Sequence, residues 1–163
     1  MRMRTQRGFS LIELLVVVVI ILVIAAVAVP NLLRSRMSAN EASAIASVRT
    51  IITSEIVYSA TYTAGFSPNL TSLGDGGTSA NCVLPNQPAA SSACLIDPSL
   101  GSGTKSGYVF TYAAAGGVTN DSYTLNADPL TAGFSGQRHF YTDANHVIRV
   151  NNTAPASSSD PPL

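Results

Sequence analysis

The chain has 163 residues, nine basic against nine acidic side chains, and only 11% charged residues. That length holds one modest domain beyond any membrane segment. A balanced, sparse charge gives no basic surface for general nucleic-acid binding, and it leaves a weakly charged exterior suited to packing against other protein.

Residues 1–8 form a short basic peptide with Arg2, Arg4 and Arg7. Residues 9–29 follow, Phe-Ser-Leu-Ile-Glu-Leu-Leu-Val-Val-Val-Val-Ile-Ile-Leu-Val-Ile-Ala-Ala-Val-Ala-Val, in which only Ser10 and Glu13 are polar. At about 1.5 Å of rise per residue such a helix covers roughly 30 Å, the thickness of a bilayer's hydrocarbon core. The arginines favour a cytoplasmic N-terminal side, which places everything after the span outside. The apolar run is longer than that of an ordinary secretory signal, and the Ala26-Val27-Ala28 triplet falls inside it rather than behind it.

Glu13 is the residue in this stretch that calls for a reason, because a carboxylate in an apolar span opposes insertion and commonly marks a partner. A single Glu in a first turn also complements the positive end of the helix dipole. Both readings apply to Glu13 from its position alone.

Taken together, Gly8-Phe9-Ser10-Leu11-Ile12-Glu13, the basic peptide before it and the apolar run up to Pro30 resemble the processing motif of type IV prepilins and type II secretion pseudopilins. The resemblance is tight over about residues 1–35 and otherwise architectural. It implies an α+β fold in which a long N-terminal helix, half transmembrane and half amphipathic, packs on a small antiparallel sheet. It implies leader cleavage between Gly8 and Phe9, N-methylation of Phe9, and attraction between Glu13 and the Phe9 amine of a neighbouring subunit during assembly. The product would be a homopolymer of identical subunits serving adhesion, motility or DNA uptake, or a pseudopilus of a secretion system. Its partners would be minor pilins, the prepilin peptidase, an inner-membrane assembly platform and, before assembly, the lipid bilayer. The subunit would be stored as a single-pass protein of the bacterial inner membrane and end in a surface pilus or periplasmic pseudopilus.

Pro30 lacks the N–H that would reach Ala26 and its ring crowds the preceding turn, so a kink is expected there. Residues 30–64 read as an amphipathic helix, with Ile45, Val48, Ile52 and Ile56 at spacings of three and four forming the apolar face. Arg34, Arg36, Asn40, Glu41, Arg49 and Thr50 point elsewhere in this reading. Gly65 closes the helical pattern. The run Val16 to Ile24 has no Gly, in contrast to many chains with this motif, and Ala25, Ala26 and Ala28 allow close helix approach.

Residues 65–150 read as a β-rich head. Its first part, 66–100, is rich in Ser, Asn, Pro and Gly and reads as a connecting segment. Cys82 and Cys94 are the only cysteines, lie on the exported side, and are expected to form a disulfide. They lack the spacing of a metal knuckle. Strands are expected at 108–112, 123–126, 138–142 and 147–150, with a tight hairpin at 143–146 in which Asn145 takes the left-handed conformation.

His139, Asp143 and His146 gather at that hairpin, but a turn Asp commonly bonds its own backbone, and two histidines with one carboxylate do not make a metal site. The Gly74-Asp75-Gly76-Gly77 turn offers one carboxylate where calcium takes six to eight oxygens. No nucleophile–base arrangement, phosphate loop or paired carboxylates occur, so no catalytic residue, metal or cofactor is assigned. Residues 151–163, with three prolines and three consecutive serines, read as a disordered tail.

Overall fold

The structure is a computed structural model that describes residues 9–83, 85–116 and 119–163. The chain divides into two compact units, the first ending at Arg36 and the second running from Met37 to Leu163. Helix α1 (Leu11–Thr61) begins in the first and ends in the second, and it passes through Pro30 without interruption. The Asn31 side-chain amide donates to the Val27 carbonyl at 3.1 Å, beside the donor that Pro30 lacks.

The second unit is a five-stranded antiparallel sheet in simple sequence order, β1 (Thr104–Lys105), β2 (Tyr108–Ala114), β3 (Tyr123–Pro129), β4 (His139–Asp143) and β5 (Arg149–Asn151). The α+β class expected from the sequence is the one observed. Seven residue pairs join β2 to β3, from Tyr108 opposite Pro129 to Ala114 opposite Tyr123. Alternation then sends Tyr108, Phe110, Tyr123, Leu125, Ala127 and Phe140 into a core shared with Ala44, Val48, Ile51 and Tyr58 of α1.

The buried stripe of α1 differs from the apolar one read in the sequence. Glu41, Ala44, Ser47, Val48, Ile51, Ser54, Glu55 and Tyr58 face inward, whereas Ile45 and Ile52 are half-buried and Ile56 is exposed. Hydropathy alone cannot find this face, because four of its members are polar. Glu41, Ser54 and Glu55 are buried because the rest of the unit supplies hydrogen-bond partners. The Glu55 carboxylate takes the backbone N–H of Ser67 at 2.9 Å and also the Ser67 hydroxyl. Burial pushes the Glu55 carboxyl above its ordinary range, and these hydrogen bonds offset only part of that. Glu41 likewise points inward rather than to solvent, against the N–H groups of Gln137 and Arg138.

The expected connecting segment is part of the core. Two short helices, α2 (Leu70–Leu73) and α3 (Pro98–Gly101), start on side-chain caps: Asn69 accepts from Ser72 N–H, and Asp97 accepts from Leu100 N–H with Pro98 at the first helical position. They bury Leu70, Leu73 and Leu100, with Ile96 and Ala93 alongside. Gly65 must be glycine: its φ is +81°, and a Cβ would stand 2.5 Å from the Asn120 carbonyl oxygen. Around it Phe66 N–H donates to Asn120 O and Asn120 N–H to Ala64 O, tying the end of α1 to the β2–β3 connection.

Four further sequence expectations are corrected. Strand β1 was absent from them, since two residues carry no periodicity, and β5 starts at Arg149 rather than at 147. In the turn after β4 the left-handed residue is His146, with φ +60°, not Asn145. Asp143 sets this geometry by accepting Asn145 N–H on its side chain and His146 N–H on its carbonyl. Residues 151–163 are ordered rather than disordered. Ala156 is buried, and the N–H groups of Val150 and Leu163 donate to the carbonyls of Pro161 and Ile148. Composition misled here because the tail's order comes from pairing with β5, not from its own apolar content.

Candidate assembly site

The site is built on the first turn of α1. Ser10 precedes the helix, and its carbonyl accepts from Glu13 N–H at 3.1 Å and Leu14 N–H at 3.3 Å. In return the Glu13 carboxylate accepts Ser10 N–H at 2.9 Å. This is the reciprocal half of a Ser-x-x-Glu capping box, in which a carboxylate satisfies a backbone donor that the helix leaves without a partner. The spacing Ser10 to Glu13 carried that signal in the sequence, and the expectations above drew on Glu13 only as a charge.

Phe9, Ile12, Glu13, Val16 and Val17 together line an open concavity on the helix surface. Phe9 and Glu13 are thus brought to one face. Phe9 itself is 85% exposed, and the large apolar side chains from Leu11 to Val29 all stand about half exposed or more. This helix is long and apolar enough to cross a membrane, and none of its most apolar window is buried among the described residues. Gly8 and the three leader arginines, expected at the cleavage site, lie outside the described residues.

Ala25, Ala26, Ala28, Pro30, Arg34 and Arg36 lie on α1 within the first unit, and the remaining residues singled out in the sequence lie in the second. Cys82 and Cys94 are joined by a disulfide with their Cα atoms 5.7 Å apart. Cys94 takes a positive φ of 56°, and its N–H donates to the Gly74 carbonyl. Asp75 is held as a turn residue, accepting Gly77 N–H at 3.0 Å. His139 pairs with Asp128 at 2.6 Å, and Asp143 organises its own turn. Among the described residues no three His, Cys, Asp or Glu side chains gather as metal ligands would.

Sequence reasoning missed Glu41, Glu55 and the Asp128–His139 pair. The first two were hidden by the hydropathy rule that places carboxylates outside. The third depends on cross-strand register, which single-strand patterns do not contain.

Comparison with known proteins gives one family model, the prokaryotic N-terminal methylation motif, matching residues 3–29. No curated protein and no solved structure matches the chain. The matched residues hold the basic peptide from Met3 on, Gly8-Phe9, Glu13 and the apolar run, so the motif extends over the uncovered first part of α1. The chain carries, over residues 3–29, the N-terminal methylation signature of type IV pilins and pseudopilins.

Proposed function

We propose that this chain is a structural subunit of a type IV pilus, stored in the inner membrane and polymerising through residues 9–29 once its leader is removed. The observation that carries the reading is the methylation motif lying on an apolar helix that nothing else in the described chain covers. Such a surface must meet either lipid or other copies of itself, and a bundle of these helices replaces lipid. The second unit, held outside by the arginine-rich leader side, becomes the exterior of the filament.

Glu13 couples processing to assembly. Before cleavage the Phe9 nitrogen is an amide and carries no charge. Cutting between Gly8 and Phe9 creates an amine that can neutralise Glu13 of a neighbour where water is scarce. A buried carboxylate left without that cation is costly. Among the described residues the Glu13 carboxylate takes only the Ser10 N–H, which uses one of its oxygens and leaves the other for the incoming amine.

The test is to follow two variants in the host. Replacing Gly8 with a larger residue blocks cleavage and hence filaments. Glu13→Ala leaves cleavage intact and still yields no filaments. Uncut Glu13→Ala protein would contradict this division of roles. A pseudopilin carries the same motif, and the two readings separate on abundance: a main pilus subunit dominates sheared surface filaments. A membrane-anchored domain that never polymerises would instead keep its leader and tolerate Glu13→Gln.

A further inference from the structure

An open antiparallel sheet has two edges, each a row of unpaired backbone groups that can capture a strand from another molecule. Here the β1 edge is only two residues long, and Lys105, which bonds Asp97 at 2.7 Å, stands on it. Shortness and charge blunt the part of that edge that β1 forms. The β5 edge is protected by a different device.

Residues 160–163 lie along β5 as an antiparallel partner, with Pro162 opposite Arg149. Val150 N–H donates to Pro161 O at 3.1 Å, and Leu163 N–H donates to Ile148 O at 2.9 Å. Those two bonds flank the Arg149–Pro162 pair, which makes it a non-hydrogen-bonded pair. The backbone nitrogen of Pro162 therefore points away from β5, toward the new edge of the sheet. Being proline, it presents no donor there.

A set of polar bonds fastens the segment. The Asp160 carbonyl accepts from Arg149 Nη1 at 2.7 Å, and its carboxylate accepts from Asn151 Nδ2 at 2.9 Å and from Ser157 N–H at 2.7 Å. Upstream, Asn126 of β3 donates its side-chain amide to the Ala156 carbonyl at 2.8 Å, and Ala156 is 4% exposed. Asn126 belongs to the polar side of its strand, between the core residues Leu125 and Ala127. The segment thus crosses the outer face of the sheet before it reaches the edge.

We infer that residues 152–163 are an edge guard: they occupy the β5 edge from within the chain, end it in a proline without a donor, and so keep second units of separate copies from joining strand to strand. This does not depend on the pilus reading, since an open edge is a hazard for any secreted sheet. For a chain that does polymerise, it confines association to other surfaces.

The experiment compares the full chain in detergent with a chain ending at Asn151 and with full-length Asp160→Ala, which loosens the fastening without removing the segment. Amide exchange at Val150 and the oligomer mass are read together. In the shortened chain Val150 exchanges at least about tenfold faster while monomeric, and the chain forms dimers or larger species that a synthetic peptide of residues 152–163 disperses. Asp160→Ala speeds Val150 exchange with the rest of the sheet still protected. Unchanged Val150 exchange in Asp160→Ala overturns the fastening, and a shortened chain that is folded and remains as monodisperse as the intact one overturns the guard. Should the shortened chain lose its fold, Asp160→Ala decides alone: faster Val150 exchange with greater self-association supports the guard, and faster exchange without it counts against it.

Discussion

Glu41 of α1 grips Arg138, just ahead of β4, by side chain and backbone at once. One carboxylate oxygen lies 2.7 Å from Arg138 Nε, and the other accepts the N–H groups of Gln137 at 2.9 Å and Arg138 at 3.2 Å. The pair spans 97 positions in sequence and fixes the start of β4 against the helix. The Arg138 guanidinium also stands 5.6 Å from the centre of the Phe140 ring.

Removing that carboxylate should loosen the second unit. Glu41→Ala leaves two backbone donors without their acceptor at a largely buried site, a loss of about 2 kcal/mol. Denaturant unfolding measures it, and a change below about 0.5 kcal/mol would refute the role. Burial pushes the Glu41 carboxyl up, but the Gln137 N–H together with the Arg138 side chain and N–H outweigh it and hold it below the ordinary 4.5. Its contribution is therefore present above that value and is lost as pH falls through the folded value.

Glu55 acts in the opposite sense. Its carboxyl is raised by burial, so the folded protein holds that proton more tightly than the unfolded chain does. The stability tied to it is full below the ordinary 4.5 and is lost as pH rises through the folded value. Glu55→Gln keeps an acceptor for Ser67 N–H and removes the charge. This variant should lose the pH dependence across that window and be at least as stable as the parent at pH 7. Glu55→Ala, which orphans the Ser67 N–H and opens a hole, should cost about 3 kcal/mol. Matched pH profiles for parent and Glu55→Gln would contradict the assignment.

The disulfide closes a loop of sequence separation 12 that starts at the end of the 3₁₀ turn Ser79–Cys82. Loop-closure entropy puts its contribution at roughly 3 kcal/mol. Paired Cys82→Ser and Cys94→Ser replacement should lower stability by about that amount. It should also speed amide exchange at Cys94, Leu95 and Ala93, whose N–H groups bond Gly74, Leu73 and Ser72 carbonyls. Exchange that rises uniformly across the sheet instead would place the effect elsewhere.

Gly65→Ala tests the junction after α1. The added methyl meets the Asn120 carbonyl and faces a positive φ, so destabilisation of about 2 kcal/mol is expected, with faster exchange at Phe66 and Asn120. A neutral effect on unfolding would show that the backbone there has room to move.

Much of this architecture was written in local pattern. The apolar run of residues 9–29, Gly65 as the end of a helical stretch, and the β-branched and aromatic clusters at 108–112 and 123–126 each depend on neighbours in sequence alone. What escaped was set by distant partners. Glu41 and Glu55 are buried because Arg138 and Ser67 meet them, and no helical periodicity contains that information. Ile56 matched the apolar spacing yet is 48% exposed, since the inward stripe is rotated toward Ile51 and Tyr58. The tail looked disordered because its composition has little to bury, but backbone pairing along β5 needs no apolar side chains. At the proposed assembly site Glu13 and Phe9 are legible as a motif, and the Ser10-x-x-Glu13 spacing also holds the capping signal, whose hydrogen bond the coordinates supply.

The most direct test of the account is the intact mass of the protein recovered from sheared surface filaments of its host. The account predicts an abundant species lacking residues 1–8, with one added methyl group on Phe9 and the disulfide intact. Full-length, unmethylated protein confined to the membrane fraction would contradict it.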